Sequence, residues 1–235
     1  MSCLSPVIVA LDYPNMPDAL AMAKRLDPSK CRLKVGKELF TAAGPAVLDL
    51  LHSLGFEVFL DLKFHDIPNT VAKAVATAAK AGVWMVNIHA SGGRRMMEAS
   101  ADILANQSGA HKPLLIAVTV LTSMDQSDLV EIGIDLTPEQ HVQRLATLAK
   151  SSGMDGVVCS AQEAAMLNES LGEEFILVTP GIRPENTAQG DQKRIMTPQD
   201  AMQAGSHYLV MGRPITQAQN PISVLESVNK TLKIF

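Results

Sequence analysis

The sequence is poor in several residue classes, and each shortage excludes a class of protein. Its 235 residues include one Trp, two Tyr and six Phe, too few for the stacking platforms that bind single-stranded nucleic acids. Lys and Arg total 20 against 24 Asp and Glu, a net charge of −4, so we do not expect the basic face of a nucleic-acid-binding protein. No apolar run reaches the roughly 18 residues that a membrane span needs.

Cysteine is also scarce. Cys3, Cys31 and Cys159 are far apart and form no CxxC motif, which indicates a reducing compartment rather than a disulfide framework. The first apolar run, residues 7–11, ends at Asp12, too early for a signal peptide. Together these features predict a soluble, cytoplasmic protein that contacts neither membrane nor nucleic acid.

One pattern repeats along the chain: a short apolar run ends in polar or Gly residues, and a segment with helical spacing follows. Eight runs are nearly uninterrupted, as is typical of parallel strands that are buried on both faces. They cover residues 7–11, 32–35, 57–62, 85–89, 114–121, 156–159, 176–179 and 208–211. The stretches 19–26 and 70–81 are examples of the intervening helices.

Start and stop signals agree with this division. Ser160 and Glu163 have the spacing of a capping box, and Thr137 stands as a cap before Pro138 at the first helical position. The glycines that come just before a strand would end the preceding helix in a left-handed conformation. They are Gly55, Gly82, Gly153 and Gly205.

Eight βα units in a chain of this length predict an α/β fold, the (β/α)8 TIM barrel, as a single domain over residues 1–235. A doubly wound open sheet has the same alternation and is the alternative. Two details favour the barrel. No GxGxxG motif follows the first strand, and Gly-containing loops with Arg183 and Arg213 follow the seventh and eighth runs, where barrels form phosphate sites. The irregular stretch 180–197 is interpreted as an active-site lid.

Charged residues lie at the predicted strand ends, where TIM barrels place their catalytic groups. Asp12 ends the first strand, Lys34 the second, and Asp61 and Lys63 flank Leu62 at the end of the third. Alternation along a strand should direct Asp61 and Lys63 to the same side, into the barrel mouth. Lys34 would flank Asp61 and form an alternating line of ammonium and carboxylate groups. A structural ion-pair network is the alternative, and the two phosphate loops favour a catalytic site.

Other candidate groups carry weaker signals. His89 ends the fourth strand, where a single His is more often a hydrogen-bonded core residue than a base. The histidines form no HxxxH or HxH pair, so we expect no metal site. Ser123 and Ser160 have no obvious His–Asp relay, so a serine nucleophile is not expected.

The segment from Asp61 to Thr70, DLKFHDIPNT, closely resembles the D-x-K-x-x-D-I-P-x-T signature of the orotidine 5′-phosphate decarboxylase family, and every fixed position matches. The resemblance covers essentially the whole chain. Further strand ends that resemble those of the family are VALD at 9–12, LKVG at 33–36, VLTS at 120–123, TPGIR at 179–183 and VMGR at 210–213.

The resemblance implies removal of CO2 from orotidine 5′-monophosphate to give UMP, the last step of de novo pyrimidine synthesis, without a metal or organic cofactor. Loss of CO2 from C6 leaves an electron pair in the plane of the pyrimidine ring, which only a nearby cation and a ready proton can stabilise. Lys63 would supply both. By the same resemblance Asp61 lies near the departing carboxylate, and Asp61 and Asp66 hold Lys63 protonated.

The resemblance also implies a homodimer in which each site combines two chains. Asp66 and Thr70 would reach into the neighbouring subunit's site, near the ribose. Asp12 and Lys34 would bind the ribose side within their own chain.

The remaining substrate contacts follow from the same family. Thr122, alone or with the serine that follows it, would contact the pyrimidine edge. Arg183, Arg213 and the backbone N–H of Gly212 would hold the phosphate. Gln192 would close from the lid and link phosphate to base.

Two alternative functions remain open. A keto-gulonate-phosphate decarboxylase has the same barrel and an Asp-x-Lys-x-x-Asp core, but acts through a Mg²⁺-stabilised enediolate. The Ile-Pro-Asn-Thr continuation at 67–70 and Gln192 favour the orotidine enzyme. A non-catalytic barrel that binds a nucleotide is the other alternative, but it has no use for a buried Asp-Lys-Asp run.

Overall fold

Eight short strands alternate with helices along the chain. In the computed structural model, which describes residues 3–106, 112–184 and 196–234, each predicted run overlaps one strand. The strands are β1 (Val7–Ala10), β2 (Arg32–Gly36), β3 (Val58–Phe64), β4 (Met85–His89), β5 (Leu114–Val118), β6 (Gly156–Val158), β7 (Ile176–Thr179) and β8 (Tyr208–Met211). Neighbours pair in parallel in chain order, and β8 pairs with β1, so the sheet is closed. The predicted TIM barrel is confirmed and the open sheet is excluded, while the single domain over residues 1–235 stays a prediction.

Helices cover the outside of this barrel. Those of the described residues are α1 (Met16–Ala23), α2 (Lys37–Ala43), α3 (Ala46–Ser53), α4 (Pro68–Lys80), α5 (Arg94–Ala105), α6 (Gln126–Glu131), α7 (Pro138–Ser151), α8 (Ala164–Leu171), α9 (Pro198–Gln203), α10 (Arg213–Thr216) and α11 (Pro221–Thr231). Short 3-10 helices at Ala90–Gly92 and Ala161–Glu163 follow β4 and β6. None of the helices described is long and apolar enough to cross a membrane.

The helix ends follow local signals in the sequence. The predicted capping box at Ser160 is present, although it begins a 3-10 helix rather than an α-helix. Thr137 caps α7 as predicted, and it does so within a second capping box with Gln140. Helix α1 begins at Met16, earlier than predicted, because Asn15 caps it by accepting a hydrogen bond from the N–H of Asp18. The predicted helix-ending glycines all have a positive φ, namely Gly55, Gly82, Gly153 and Gly205.

Strand β5 is shorter than its apolar run. The run 114–121 continues past the end of the strand at Val118. Val120 is buried although it lies outside the strand, because it lines a cavity at the mouth of the barrel. The apolar residues after Val118 therefore belong to a cavity wall, which a hydrophobic pattern cannot distinguish from a strand.

Side chains of the strands alternate between two cores. Outward-facing residues pack under the helices, and inward-facing residues fill the interior of the barrel, which is therefore solid rather than a pore. The buried members of the interior are Ile8, Ala10, Phe59, Met85, Ile116, Val178 and Val210.

A buried guanidinium closes the N-terminal end of the barrel. Arg32, the first residue of β2, lies with its Cζ 4.2 Å from the ring centroid of Trp84 and 5.2 Å from that of Tyr208. Its Nε is 2.7 Å from a carboxylate oxygen of Glu57, and its terminal nitrogens donate to two backbone carbonyls near the N-terminus at 2.7 Å. Together the two rings, the carboxylate and the two carbonyls offset the free-energy cost of removing this cation from water.

Candidate active site

A cavity of about 270 Å³ opens at the other end of the barrel, where the strands reach their carboxyl termini. The loops after β5, β7 and β8 form part of its wall, and the ends of β1, β2 and β3 form another part. Most of the predicted site residues line it, namely Asp12, Lys34, Asp61, Lys63, Thr122, Arg183, Gly212 and Arg213.

Four of these side chains form the predicted alternating line of charges. Lys34 Nζ lies 3.2 Å from Asp12 Oδ1 and 3.2 Å from Asp61 Oδ2. Lys63 Nζ lies 2.6 Å from the other oxygen of Asp61. The residues come from the ends of three neighbouring strands, β1, β2 and β3, whose parallel pairing brings them together.

The two central members of the line are deeply buried and still charged. The side chains of Lys34 and Asp61 are each 11% exposed, against 63% for Asp12. Burial alone would raise the pKa of Asp61, but Lys34 and Lys63 outweigh it and hold that pKa below its usual range. Burial would likewise lower the pKa of Lys34, but Asp61 and Asp12 raise it above its usual range. The site thus contains ionised groups in a poorly hydrated place, where their fields are strong.

The end of β3 departs from a regular strand. Lys63 has a φ of 53°, in the left-handed region that residues other than Gly rarely adopt, and the pairing of β3 with β4 shifts register between Leu60 and Phe64. Asp61 and Lys63 do reach the same side, as predicted, but simple alternation of an extended strand is not the reason. The irregularity itself directs Lys63 toward Asp61.

Asn87 is a residue of the site that the sequence reasoning missed. It lies in β4, is fully buried, and its Nδ2 donates to Asp61 Oδ1 at 2.7 Å. The backbone N–H of Lys63 donates to Asn87 Oδ1 at 2.8 Å. One signal could have found it: an amide inside a run of buried apolar residues must have hydrogen-bond partners.

Two arginines stand on the wall formed by the loops after β7 and β8. Arg183 is buried, and burial, together with the positive charge of Arg213, lowers its pKa. Its Nε has no hydrogen-bond partner within the described part of the chain. The loop that bears it is anchored, because the N–H of Arg183 donates to the carbonyl of Met196 at 3.0 Å. Two neighbouring guanidinium groups facing a cavity form a site for an anion.

Asp66 and Thr70 lie elsewhere in this chain. Both are exposed, Asp66 in the loop before α4 and Thr70 in its first turn, and neither lines the cavity just described. The Asp66 carboxylate accepts a hydrogen bond from the N–H of Ile67 at 2.6 Å and lines a separate surface depression with neighbours that include Arg95. Within one chain, therefore, the structure does not place Asp66 beside Lys63.

Gln192 and most of the predicted lid lie outside the described residues. The two ends of that stretch are described, and a β-bridge between Ile182 and Met196 joins them. The segment between them thus begins and ends at adjacent points beside the cavity.

His89 is half-buried at the end of β4, and its ring centroid lies 5.5 Å from that of His65. Burial lowers the pKa of His89 to about 4, with contributions from His65, Lys37 and Lys63. It is therefore neutral near pH 7 and adds no charge to the site. Over residues 3–106, 112–184 and 196–234, no three His, Cys, Asp or Glu side chains are grouped so that they could hold a metal ion.

The barrel and its charged mouth define a TIM-barrel enzyme, and comparison with known proteins gives the family. The profile of the orotidine 5′-phosphate decarboxylase / HUMPS family matches residues 5–228. A protein from Marinomonas sp. (strain MWYL1) named orotidine 5′-phosphate decarboxylase is 75% identical over 232 residues, which cover 99% of this chain and 98% of that protein. One of the same name from Alcanivorax borkumensis is 64% identical, with 99% and 100% covered. The chain belongs to the orotidine 5′-phosphate decarboxylase / HUMPS family.

A solved structure agrees with this assignment. The crystal structure of orotidine 5′-phosphate decarboxylase from Lactobacillus acidophilus superimposes with a TM-score of 0.86 at 40% sequence identity. The match covers 96% of this chain and 98% of that one. The resemblance noted at the third strand thus extends to the whole fold.

Proposed function

We propose that this protein removes CO2 from orotidine 5′-monophosphate to give UMP in pyrimidine biosynthesis. The observation that carries the proposal is the line of Asp12, Lys34, Asp61 and Lys63 at the mouth of a barrel of this family. Relatives that are 64% and 75% identical over nearly the whole chain bear the name of this enzyme. They do not favour a sugar-phosphate lyase or a barrel that only binds nucleotides.

The chemistry requires stabilisation of an electron pair at C6 of the pyrimidine. The Lys63 ammonium offers a compact charge beside that atom and the proton that replaces CO2. Two unit charges about 4 Å apart interact by about 4 kcal/mol at an effective dielectric constant near 20. Because each ~1.4 kcal/mol is tenfold in rate, one well-placed ammonium contributes several orders of magnitude.

Asp61 has two roles in this proposal. Its contacts with Lys34 and Lys63 hold both ammonium groups in place and favour their charged forms. Its own charge repels the carboxylate of the substrate, and that repulsion is relieved as neutral CO2 leaves. The lowered pKa of Asp61 supports this role, since the carboxyl is ionised at neutral pH.

The remaining contacts orient the nucleotide. Arg183 and Arg213, with the N–H of Gly212, bind the phosphate, and Thr122 binds the pyrimidine edge. Asp12 and Lys34 bind the ribose. Gln192, which lies outside the described residues, is proposed to link phosphate and base. Phosphate binding far from C6 assists the reaction if it drives closure over the substrate.

The test is an assay of UMP formation from orotidine 5′-monophosphate, with and without EDTA. We expect turnover that EDTA does not change. Turnover that EDTA abolishes and Mg²⁺ restores would favour the lyase alternative. Nucleotide binding without any turnover would favour the binding barrel.

We also propose that the active form is a homodimer in which Asp66 and Thr70 complete the partner's site. Both belong to the family signature, yet both are exposed and lie away from the cavity of their own chain. Ile67, between them, exposes 66% of its surface, so this part of the loop projects outward from its own chain. Pro68 fixes the backbone at the first turn of α4, so the projecting loop has a defined shape.

Mixing two inactive variants tests this arrangement. Lys63→Ala and Asp66→Ala subunits are combined under conditions of subunit exchange. In a mixed dimer one site lacks both groups, whereas the other has an intact Lys63 and receives an intact Asp66. Random pairing makes about half the dimers mixed, so roughly a quarter of all sites should regain activity. No recovery, with exchange confirmed by mass spectrometry, would place Asp66 in its own chain's site.

A cytoplasmic location stays a prediction from the scarcity of cysteine. Fractionation of cells that express the tagged protein would test it.

A further inference from the structure

The side chain of Asn87 makes hydrogen bonds at the place where the backbone pairing of β3 with β4 is interrupted. The regular pairs are Leu60 with Val86 and then Phe64 with Ile88. Between these pairs β4 contributes Asn87 alone, whereas β3 contributes the whole Asp61–Lys63 segment. The extra residues bulge out of the ladder, and their backbone groups need other partners.

Asn87 supplies one of those partners and also reaches the reactive side chains. Its Oδ1 accepts the hydrogen bond of the Lys63 N–H at 2.8 Å, in the very residue whose φ is 53°. Its Nδ2 donates at 2.7 Å to Asp61 Oδ1, the oxygen that also contacts Lys63 Nζ. A single buried amide thus holds the backbone of Lys63 and the carboxylate that faces its ammonium.

The Asn87 amide meets two demands at once. The Lys63 N–H can only donate and the ionised Asp61 can only accept, so the partner needs an acceptor and a donor side by side. Aspartate would accept from Lys63 but would place a second carboxylate against Asp61. Alanine would leave both groups without a partner in a buried place.

We propose that Asn87 is a positioning residue for the reaction: it holds Lys63 in its left-handed conformation and fixes Asp61, and so sets where the ammonium stands relative to the reacting carbon. This inference rests on the proposed function. Asn87 does not line the cavity and so acts through Lys63 and Asp61, rather than on the nucleotide itself.

The experiment compares two substitutions at Asn87 with the same two at a matched position. Asn229 is a buried amide with two hydrogen bonds, from the Ser5 hydroxyl at 2.7 Å and to the Lys30 carbonyl at 2.9 Å, and it lies in α11, away from the cavity. Asp and Ala are introduced at each position. Turnover of orotidine 5′-monophosphate, the Kd of UMP and the Tm are measured for all four variants and for the unchanged protein.

We expect both Asn87 variants to lose about 100-fold or more in kcat, the cost of misplacing a catalytic group by about 1 Å. The Kd of UMP should change by less than about tenfold, because UMP lacks the carboxylate that reacts. The Asn229 variants should lose Tm and keep kcat. Should Asn87→Asp fail to fold, Asn87→Ser is used, since one hydroxyl cannot fully replace both groups of the amide.

Two results would overturn the inference. One is a kcat in the folded Asn87 variants within about threefold of that of the unchanged protein. The other is a parallel loss of kcat and UMP affinity, which would indicate collapse of the site rather than misplacement of one group. Failure of the proposed function is a separate outcome, because then the unchanged protein itself would form no UMP.

Discussion

Buried charged side chains have different surroundings at the two ends of the barrel, and β2 contributes one cation to each end. Arg32, at the start of that strand, is enclosed by Trp84, Tyr208 and Glu57 and does not line the cavity of the candidate active site. Lys34, two positions further along, faces the opposite end and lies on the wall of the cavity. The same strand thus carries a structural cation and a cation of the candidate active site.

The difference shows what marks a functional charge. Burial alone does not, because the side chain of Arg32 is only 6% exposed, less than that of Lys34 at 11%. At the N-terminal end the guanidinium is surrounded by a carboxylate, two aromatic rings and two backbone carbonyls. At the C-terminal end, charges of both signs alternate around a cavity, and Arg183 and Arg213 also line it. A cavity lined by several charged groups is the feature that distinguishes the C-terminal end.

The largest effect is expected at the C-terminal end, from Lys63→Ala. We expect kcat to fall by on the order of 10³ or more, because the group that stabilises the developing charge is gone, while UMP still binds. Turnover and calorimetric titration with UMP measure the two quantities. Lys80→Ala, in the exposed last turn of α4, is the control and should change neither. An unchanged kcat in Lys63→Ala would remove Lys63 from the mechanism.

The reverse pattern is expected at the N-terminal end, from Arg32→Ala. The free energy of unfolding should fall by about 3 kcal/mol, since Glu57 loses its buried partner and two rings lose a stacked cation. The kcat of the protein that remains folded should not change. Urea unfolding followed by circular dichroism measures the loss. Lys30→Ala, which breaks an exposed pair with Glu226, should cost less than about 1 kcal/mol. A large loss of kcat in folded Arg32→Ala would contradict the separation of the two ends.

Arg213→Ala tests whether the phosphate of the nucleotide binds at Arg183 and Arg213. Loss of a charge-assisted contact with phosphate should weaken UMP binding by about 10- to 100-fold. Uridine, which has no phosphate, should bind as before. Titration of both ligands against both proteins gives the comparison. Equal losses for UMP and uridine would show that Arg213 does not contact the phosphate.

The last prediction concerns a part of the pH range in which the enzyme is not expected to work, and it involves the half-buried His89. Its pKa is about 4 in the folded protein and 6.5 as its ordinary value, so the unfolded chain binds more protons between those limits. This residue therefore lowers stability as pH falls from about 6.5 to 4, and has no effect above that window. The urea midpoint of His89→Gln should fall less steeply over this range than that of the unchanged protein. Identical slopes would mean that His89 does not remain neutral in the fold.

The sequence predicted the structure best where a single physical requirement fixed the order of apolar and polar residues. Parallel strands buried on both faces must be apolar, and all eight were predicted from that property. Likewise, period two and parallel pairing were enough to bring Lys34 beside Asp61. The predicted end of the fifth strand was wrong because Val120 is apolar for another reason: it lines the cavity beyond β5.

The end of β3 shows a second kind of limit. No local signal predicts a positive φ at Lys63, because lysine does not favour it and tertiary contacts impose it. The role of Asn87 depends on the same bulge and could not be derived without it. Asp66, Thr70 and Gln192 entered through family resemblance alone, since their proposed contacts lie in another chain or outside the described residues.

The left-handed backbone at Lys63 has a consequence for evolution and engineering. A residue with a Cβ in that region costs the fold about 1–3 kcal/mol, and glycine would remove most of the cost. The same change would remove the ammonium that lies 2.6 Å from the buried Asp61 carboxylate, so the strained backbone and the ion pair oppose each other at this position. A library that stabilises this barrel by relieving strain at this position would therefore have to replace the ion pair as well, and it should be selected for turnover at the same time.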